Sequence, residues 1–76
     1  MMYRVGTFRE AGLQARWTKV NGAPFISARN PNAKHEHQRD KWWLVDRDMF
    51  AAMGRDGVCE AFDNFTLLGD MFSITK

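Results

Sequence analysis

Leu13-Gln-Ala-Arg-Trp-Thr-Lys-Val20, then Asn21-Gly22, then Ala23-Pro-Phe-Ile-Ser-Ala-Arg29 is the stretch on which the fold turns. Leu13–Val20 alternates apolar and polar residues, the period of a half-buried strand. Asn-Gly follows at once, and a type I′ turn requires φ > 0 at both central residues, which this pair supplies. Ala23–Arg29 then reads as the returning strand. A two-residue turn sets Val20 opposite Ala23, so Trp17 faces Ile26 and Ala15 faces Ala28. Leu13, Ala15, Trp17, Ile26 and Ala28 share one apolar face. Gln14, Arg16, Thr18, Phe25, Ser27 and Arg29 share the other, as a one-sided sheet requires. Pro24 falls opposite Lys19 in a non-hydrogen-bonded pair. Its missing N–H removes nothing from the hairpin but disfavours a further strand on that side.

Working outward, Tyr3–Phe8 reads as a preceding strand, with Glu10-Ala11-Gly12 as its turn. A three-residue loop closed by Gly12 as a bulge would bring Val5 near Ala15 and Tyr3 near Trp17. Downstream, Asn30-Pro31-Asn32 stops the hairpin, because the residue before proline is biased away from helix. The charged stretch Ala33–Lys41 reads as a long exposed loop. Trp42-Trp-Leu-Val45 reads as a fourth strand. Asp46 is placed to cap a short helix carrying Met49, Phe50 and Met53 inward, with Gly54 as its C′ residue. Asp56 is placed to cap a second helix, with Val58, Phe62 and Phe65 at helical spacing. Gly69-Asp70 suggests a turn and Met71–Thr75 a closing strand, within an ambiguous stretch, Leu67–Ile74. The expected fold class is α+β: a small antiparallel sheet of three to five strands built around the Asn21-Gly22 hairpin, with one or two short helices packed on one face. Trp17, Ile26, Val45, Phe50, Met53 and Phe62 are the expected core, and residues 1–76 form one domain. If Trp17 is fully buried, Trp17→Ala costs about 3–5 kcal/mol.

The composition narrows the function classes. A chain of 76 residues buries only about 60% of its unfolded surface. Cys59 is the one cysteine, so no disulfide forms within the chain, and a free thiol suits a reducing compartment. No apolar run approaches the roughly 18 residues of a membrane span. The opening Met1-Met-Tyr-Arg-Val5 lacks the layout of a signal peptide. A cytoplasmic protein without a membrane partner is therefore expected. Three Trp, six Phe and five Met exceed what so small a core needs, and Trp, Phe and Met are enriched at interface cores. Charge is split: residues 1–47 carry nine Lys/Arg against four Asp/Glu, and residues 48–76 carry two against five. Such asymmetry marks a basic face suited to an acidic partner, although small counts also produce it by chance.

Catalytic chemistry finds little footing. His35-Glu36-His37 could offer two imidazoles to a metal, with Cys59 and Asp40 or Glu36 completing the set, but no standard ligand spacing is met. Two exposed histidines in a charged loop are the plainer account. Ser27 and Ser73 lie in predicted strands without a nucleophile elbow, and Cys59 has no nucleophile signature. Asp46/Asp48 and Asp56/Glu60 are better explained as caps and first-turn acids. The glycines are isolated at turns, so no phosphate-binding loop is present. The expectation is a non-enzyme without cofactor or metal.

Binding is the remaining class. Arg16, Phe25 and Arg29 occupy the polar sheet face, and Lys34, Arg39 and Lys41 precede Trp42. In a strand the two tryptophans point to opposite faces: one enters the core, and the other is covered or anchors a partner. The expected partner surface is Arg16, Phe25, Arg29, Lys34, Arg39, Lys41 and Trp42. The reading is a small protein-binding module that inhibits or modulates a larger macromolecular machine. Phage and mobile-element accessory proteins, such as anti-CRISPR proteins and inhibitors of host polymerases, are built on this scale; the comparison is of class, not of motif. The alternative is a basic nucleic-acid-binding domain using the same face and the Ala33–Lys41 loop, where cations meet phosphates and aromatic rings stack bases. A homodimer is a further option.

Overall fold

The hairpin forms in the register that its turn dictates. In the computed structural model, which describes residues 3–64 and 72–75, strands β1 (Gln14–Val20) and β2 (Ala23–Arg29) pair antiparallel, with Trp17 opposite Ile26 and Val20 opposite Ala23. Asn21 and Gly22 both take positive φ, 52° and 84°, as a type I′ turn demands. Strand β3 (Trp42–Val45) lies against β2 and strand β4 (Ser73–Thr75) against β3, all antiparallel, in the order β1-β2-β3-β4. The hairpin thus forms one side of the sheet. The β2–β3 ladder runs only from Ala28/Trp43 to Ile26/Val45 and stops short of Pro24, which has no N–H to continue it.

The segment before β1 is helical, not extended. Residues Val5–Glu10 form helix α1, which corrects the strand expected over Tyr3–Phe8. The decisive feature is its end. The Leu13 N–H donates to the Phe8 carbonyl (3.1 Å) and the Gly12 N–H to the Arg9 carbonyl (3.0 Å), the paired bonds of a Schellman motif. Gly12 takes φ 87° as the left-handed C′ residue. Phe8 and Leu13, the two residues that meet across such a cap, are both buried in the core. Gly12 is therefore a helix terminator rather than a strand bulge.

Helix α2 covers Arg47–Asp63 and breaks at Gly54 (φ 73°, ψ 176°), leaving two helical arms as the glycine predicted. The Asp46 carboxylate accepts from the Asp48 N–H at 3.2 Å, the expected cap. Phe50 lies in the first arm, and Val58, Ala61 and Phe62 in the second; all four are buried. Asp56 falls inside the first turn of the second arm, two residues after the non-helical Gly54, and so is not the cap expected. Both arms and α1 close over the inner sheet face, where Leu13, Ala15, Ile26, Ala28, Trp43 and Val45 join Phe8, Phe50, Phe62 and Phe72 in one core. Met49 and Met53 pack at its margin.

Trp17 departs from expectation. It lies on the inner side of β1 but is 50% exposed. The helices cover the sheet near Leu13 and Ala15, while β1 runs on toward the turn, where Lys19, Asn21, Gly22 and Pro24 are all exposed. The hairpin tip outreaches its cover. The Trp17 ring meets Tyr3 edge-on, with centroids 5.9 Å apart, so the expected Tyr3–Trp17 proximity arises by a different backbone route. Tyr3 itself is a hub. Its ring also meets Phe8 and Phe50 edgewise, at 6.5 and 5.5 Å. Its hydroxyl accepts from the Ile26 N–H at 2.7 Å and donates to the Val45 carbonyl, bridging β2 and β3 where their ladder ends.

The Ala33–Lys41 loop is less exposed than its charge suggests. It contains a 3-10 turn, Glu36–Gln38, and buries Ala33 and Gln38. The Asn30 side chain anchors its start, accepting from the Asn32 N–H (3.0 Å) and donating to the Phe62 carbonyl of α2 (3.4 Å). The expected closing strand is present as β4; Phe65 and the Gly69-Asp70 turn lie outside the described residues.

Candidate cationic face of the sheet

The outer face of the sheet is built by alternation. Arg16 stands opposite Ser27 on β2, and Ser27 opposite Leu44 on β3. Gln14 pairs with Arg29, and Trp42 lies next along β3. The two tryptophans divide as strand geometry requires: Trp43 enters the core at 4% exposure, and Trp42 stays half-buried on the outer face.

Here the register brings two cations onto one ring. The Arg16 guanidinium lies 4.0 Å from the Trp42 ring centroid and the Arg29 guanidinium 4.9 Å from it, both inside the range of a cation–π contact. Arg29 is further oriented by a hydrogen bond from its Nε to the Gln14 side-chain oxygen. A guanidinium stacked on an aromatic face keeps in-plane N–H donors for a carboxylate or phosphate. A ring face beneath a guanidinium is closed to a stacking base. The arrangement offers two held guanidinium forks to an anion, whether carboxylate or phosphate. Ser27, flanked by these larger side chains, is only 1% exposed, which hides its hydroxyl from any substrate.

The remaining expected residues divide. Phe25 belongs to the same face by register, opposite Thr18, and is half-buried. Lys41, directly before Trp42, is half-buried, and Lys34 is exposed in the loop. The Arg39 Nε donates to the Ala33 carbonyl at 2.8 Å, so this cation braces its own loop. The structure thus assembles Arg16, Arg29 and Trp42, adds Phe25 by register, and ties the exposed Arg39 to its own loop. Gln14 and Leu44 were not singled out in the sequence. Gln14 was legible as the partner of Arg29 once the hairpin register was written down; Leu44 needed the β2–β3 register as well.

The hairpin that carries this face, residues 13–29, contains Arg16, Lys19 and Arg29 and no Asp or Glu. The charged side chains of that segment are thus all cationic. The other chemistry-bearing residues do not converge. His35 and His37 lie with ring centroids 5.7 Å apart, but among the described residues no three His, Cys, Asp or Glu are grouped to hold a metal ion. Cys59 is half-buried, beside an apolar pocket lined by Phe8, Leu13, Phe50 and Val58. Burial raises its thiol above the ordinary value, the opposite of an activated nucleophile. No helix among the described residues is long and apolar enough to cross a membrane. No protein-family model, curated protein or solved structure matches the chain.

Proposed function

We propose that this chain is a small non-enzymatic protein-binding module that docks through its outer sheet face onto an acidic surface of a larger macromolecular machine, and so inhibits or modulates it. The observation that carries the reading is the pair of guanidiniums held over Trp42 on a hairpin without a carboxylate. Arginine and tryptophan dominate interface hot spots because both offer large contact area with directed polar groups. Stacking limits the rotamer freedom that each arginine would otherwise lose on binding.

The test is an affinity capture from lysate of the organism that carries the chain, with and without nuclease, comparing the native protein with the Arg16→Ala/Arg29→Ala double variant. Cation–π contacts at such sites contribute only about 0.5–1 kcal/mol, so the variant stays folded. A protein partner retained after nuclease and lost with the double variant is the expected result. Nucleic acid recovered by the native protein, with every protein partner lost after nuclease, would overturn the reading in favour of direct nucleic-acid binding. That binding would fall steeply with salt.

A further inference from the structure

The two arginines on the outer face are held in different ways. Arg29 is engaged through its Nε, which donates to the Gln14 side-chain oxygen. That bond occupies one edge of the guanidinium and leaves the edge formed by its two Nη groups. Arg16 is exposed and rests on the Trp42 ring. Stacking uses the face of a guanidinium and keeps its in-plane N–H groups for an acceptor. The register sets the spacing. Arg16 stands opposite Ser27, and Arg29 lies two residues further along β2. Diagonal neighbours of this kind are about 7–8 Å apart in a sheet. The Trp42 ring then gathers both guanidiniums, at 4.0 and 4.9 Å from its centroid. Among the described residues, neither guanidinium is paired with a carboxylate. Two like charges share one ring, and the side chain that orients one of them is a neutral amide.

We infer that Arg16 and Arg29 each take one carboxylate of an acidic pair on the protein partner, and that Gln14 is the positioning residue that makes this site read guanidinium geometry rather than charge alone. The inference deepens the proposed protein-binding function and rests on it for the choice of carboxylate over phosphate. Neighbouring acids supply the spacing. Side chains two residues apart on an extended segment are about 6.5–7 Å apart, and those four apart on a helix about 5–6 Å. The two oxygens of a carboxylate match two parallel N–H donors of a fork. A lysine ammonium is a point charge and makes no such paired contact. Gln14 acts through Arg29 and does not touch the partner. Its bond restricts Arg29 beforehand, so less side-chain freedom is lost on binding. A glutamate at position 14 would carry the same orienting oxygen but would itself neutralise Arg29, which is why a neutral amide suits the role.

The test titrates the isotope-labelled full chain with the capped peptide Ser-Glu-Ser-Glu-Ser at low salt, following the arginine Nε–H and Trp42 indole N–H signals by NMR. A peptide with one Glu replaced by Gln and a short oligothymidylate are titrated alongside. The expected result is a shift at Arg16, Arg29 and Trp42 with the two-Glu peptide and weaker binding of the one-Glu peptide. Arg16→Lys/Arg29→Lys keeps every charge and should weaken the two-Glu peptide about tenfold, the equivalent of roughly one charge-assisted bond. Gln14→Met should weaken it about threefold and move the Arg29 signal, but not that of Arg16, before any peptide is added. Thermal melts establish that both variants are folded. Equal binding of the one-Glu and two-Glu peptides would overturn the carboxylate pair. Undiminished affinity in the double-lysine variant would overturn recognition by forks, and undiminished affinity in Gln14→Met would overturn the positioning role; both leave the acidic-surface reading standing. Oligothymidylate binding at these signals without peptide binding would overturn the inference and that reading together. If neither ligand binds, the inference fails, and the capture experiment decides the wider reading separately.

Discussion

Tyr3→Phe isolates one hydroxyl on which the sheet and the N-terminal segment both depend. The substitution keeps the ring and its edgewise contacts with Phe8, Trp17 and Phe50. It removes the acceptor of the Ile26 N–H and the donor to the Val45 carbonyl. A buried polar group left without a partner costs about 1–3 kcal/mol. The strands can recover part of this by closing so that Ile26 and Val45 bond directly, which sets the lower end. The expected loss is about 1–3 kcal/mol, against a total stability of roughly 4–11 kcal/mol for a chain of this length. In a domain this size each kcal/mol moves Tm by roughly 4–8 °C, so thermal melts followed by circular dichroism resolve the change easily. Hydrogen exchange at the Ile26 amide supplies the local reading, because that proton loses its partner in the variant. A pH series adds a third. Burial raises the Tyr3 phenol above its ordinary value of 10.0, so the folded state favours the protonated form. Its contribution is fully present below pH 10 and is lost as pH rises from there through the raised folded value. The alkaline limb of the stability curve should be shallower in Tyr3→Phe. A variant within about 0.5 kcal/mol of the native protein, with unchanged Ile26 exchange, would refute the bridging role.

Three other substitutions probe separate features. Gly54→Ala meets no neighbour within 4 Å, yet it forces a Cβ onto a backbone conformation (φ 73°, ψ 176°) that is essentially confined to glycine. A loss of about 1–3 kcal/mol in urea unfolding is expected, and a neutral result would mean that the second arm of α2 re-aims at little cost. Trp17→Ala removes a ring that is half in water already, so about 2 kcal/mol is expected rather than the larger cost of a buried site; a loss above 4 kcal/mol in the same assay would place Trp17 back in the core. Gln38 is only 3% exposed, and among the described residues neither polar atom of its side-chain amide has a partner. Gln38→Met should therefore be neutral or stabilising by about 1 kcal/mol, and a drop in Tm would point to a bridging water that holds the loop.

Where local chemistry dominates, the sequence was sufficient. The Asn21-Gly22 turn permits one register, and that register alone set the two faces of the hairpin, including the alignment of Arg29 with Gln14. Asp46 and Gly54 marked the start of α2 and its break, because a cap and a left-handed glycine act over three or four residues. The strand Trp42–Val45 followed from a short run of strand formers, and its opposed tryptophans from period two. The absence of carboxylates from residues 13–29 was legible without any coordinates.

Other features required the chain to be assembled. Tyr3–Phe8 alternates well enough to read as a strand. Only the packing of Phe8 against Leu13, across the Gly12 cap, selects the helix, although Phe8 four residues before a Gly-Leu pair was a usable signal. Trp17 has the right parity for the core, but parity says nothing about how far along a strand the covering helices reach. Arg39 reads as a surface cation and stays exposed, but only the folded loop places the Ala33 carbonyl beside its Nε. The stacking of Arg16 and Arg29 on Trp42 depends on β3 pairing with β2 across the 12-residue connection Asn30–Lys41, a non-local register that no short-range rule encodes. Local rules fix dihedral angles and faces; which faces meet, and which edges stay open, is decided by how the remaining apolar surface is removed from water.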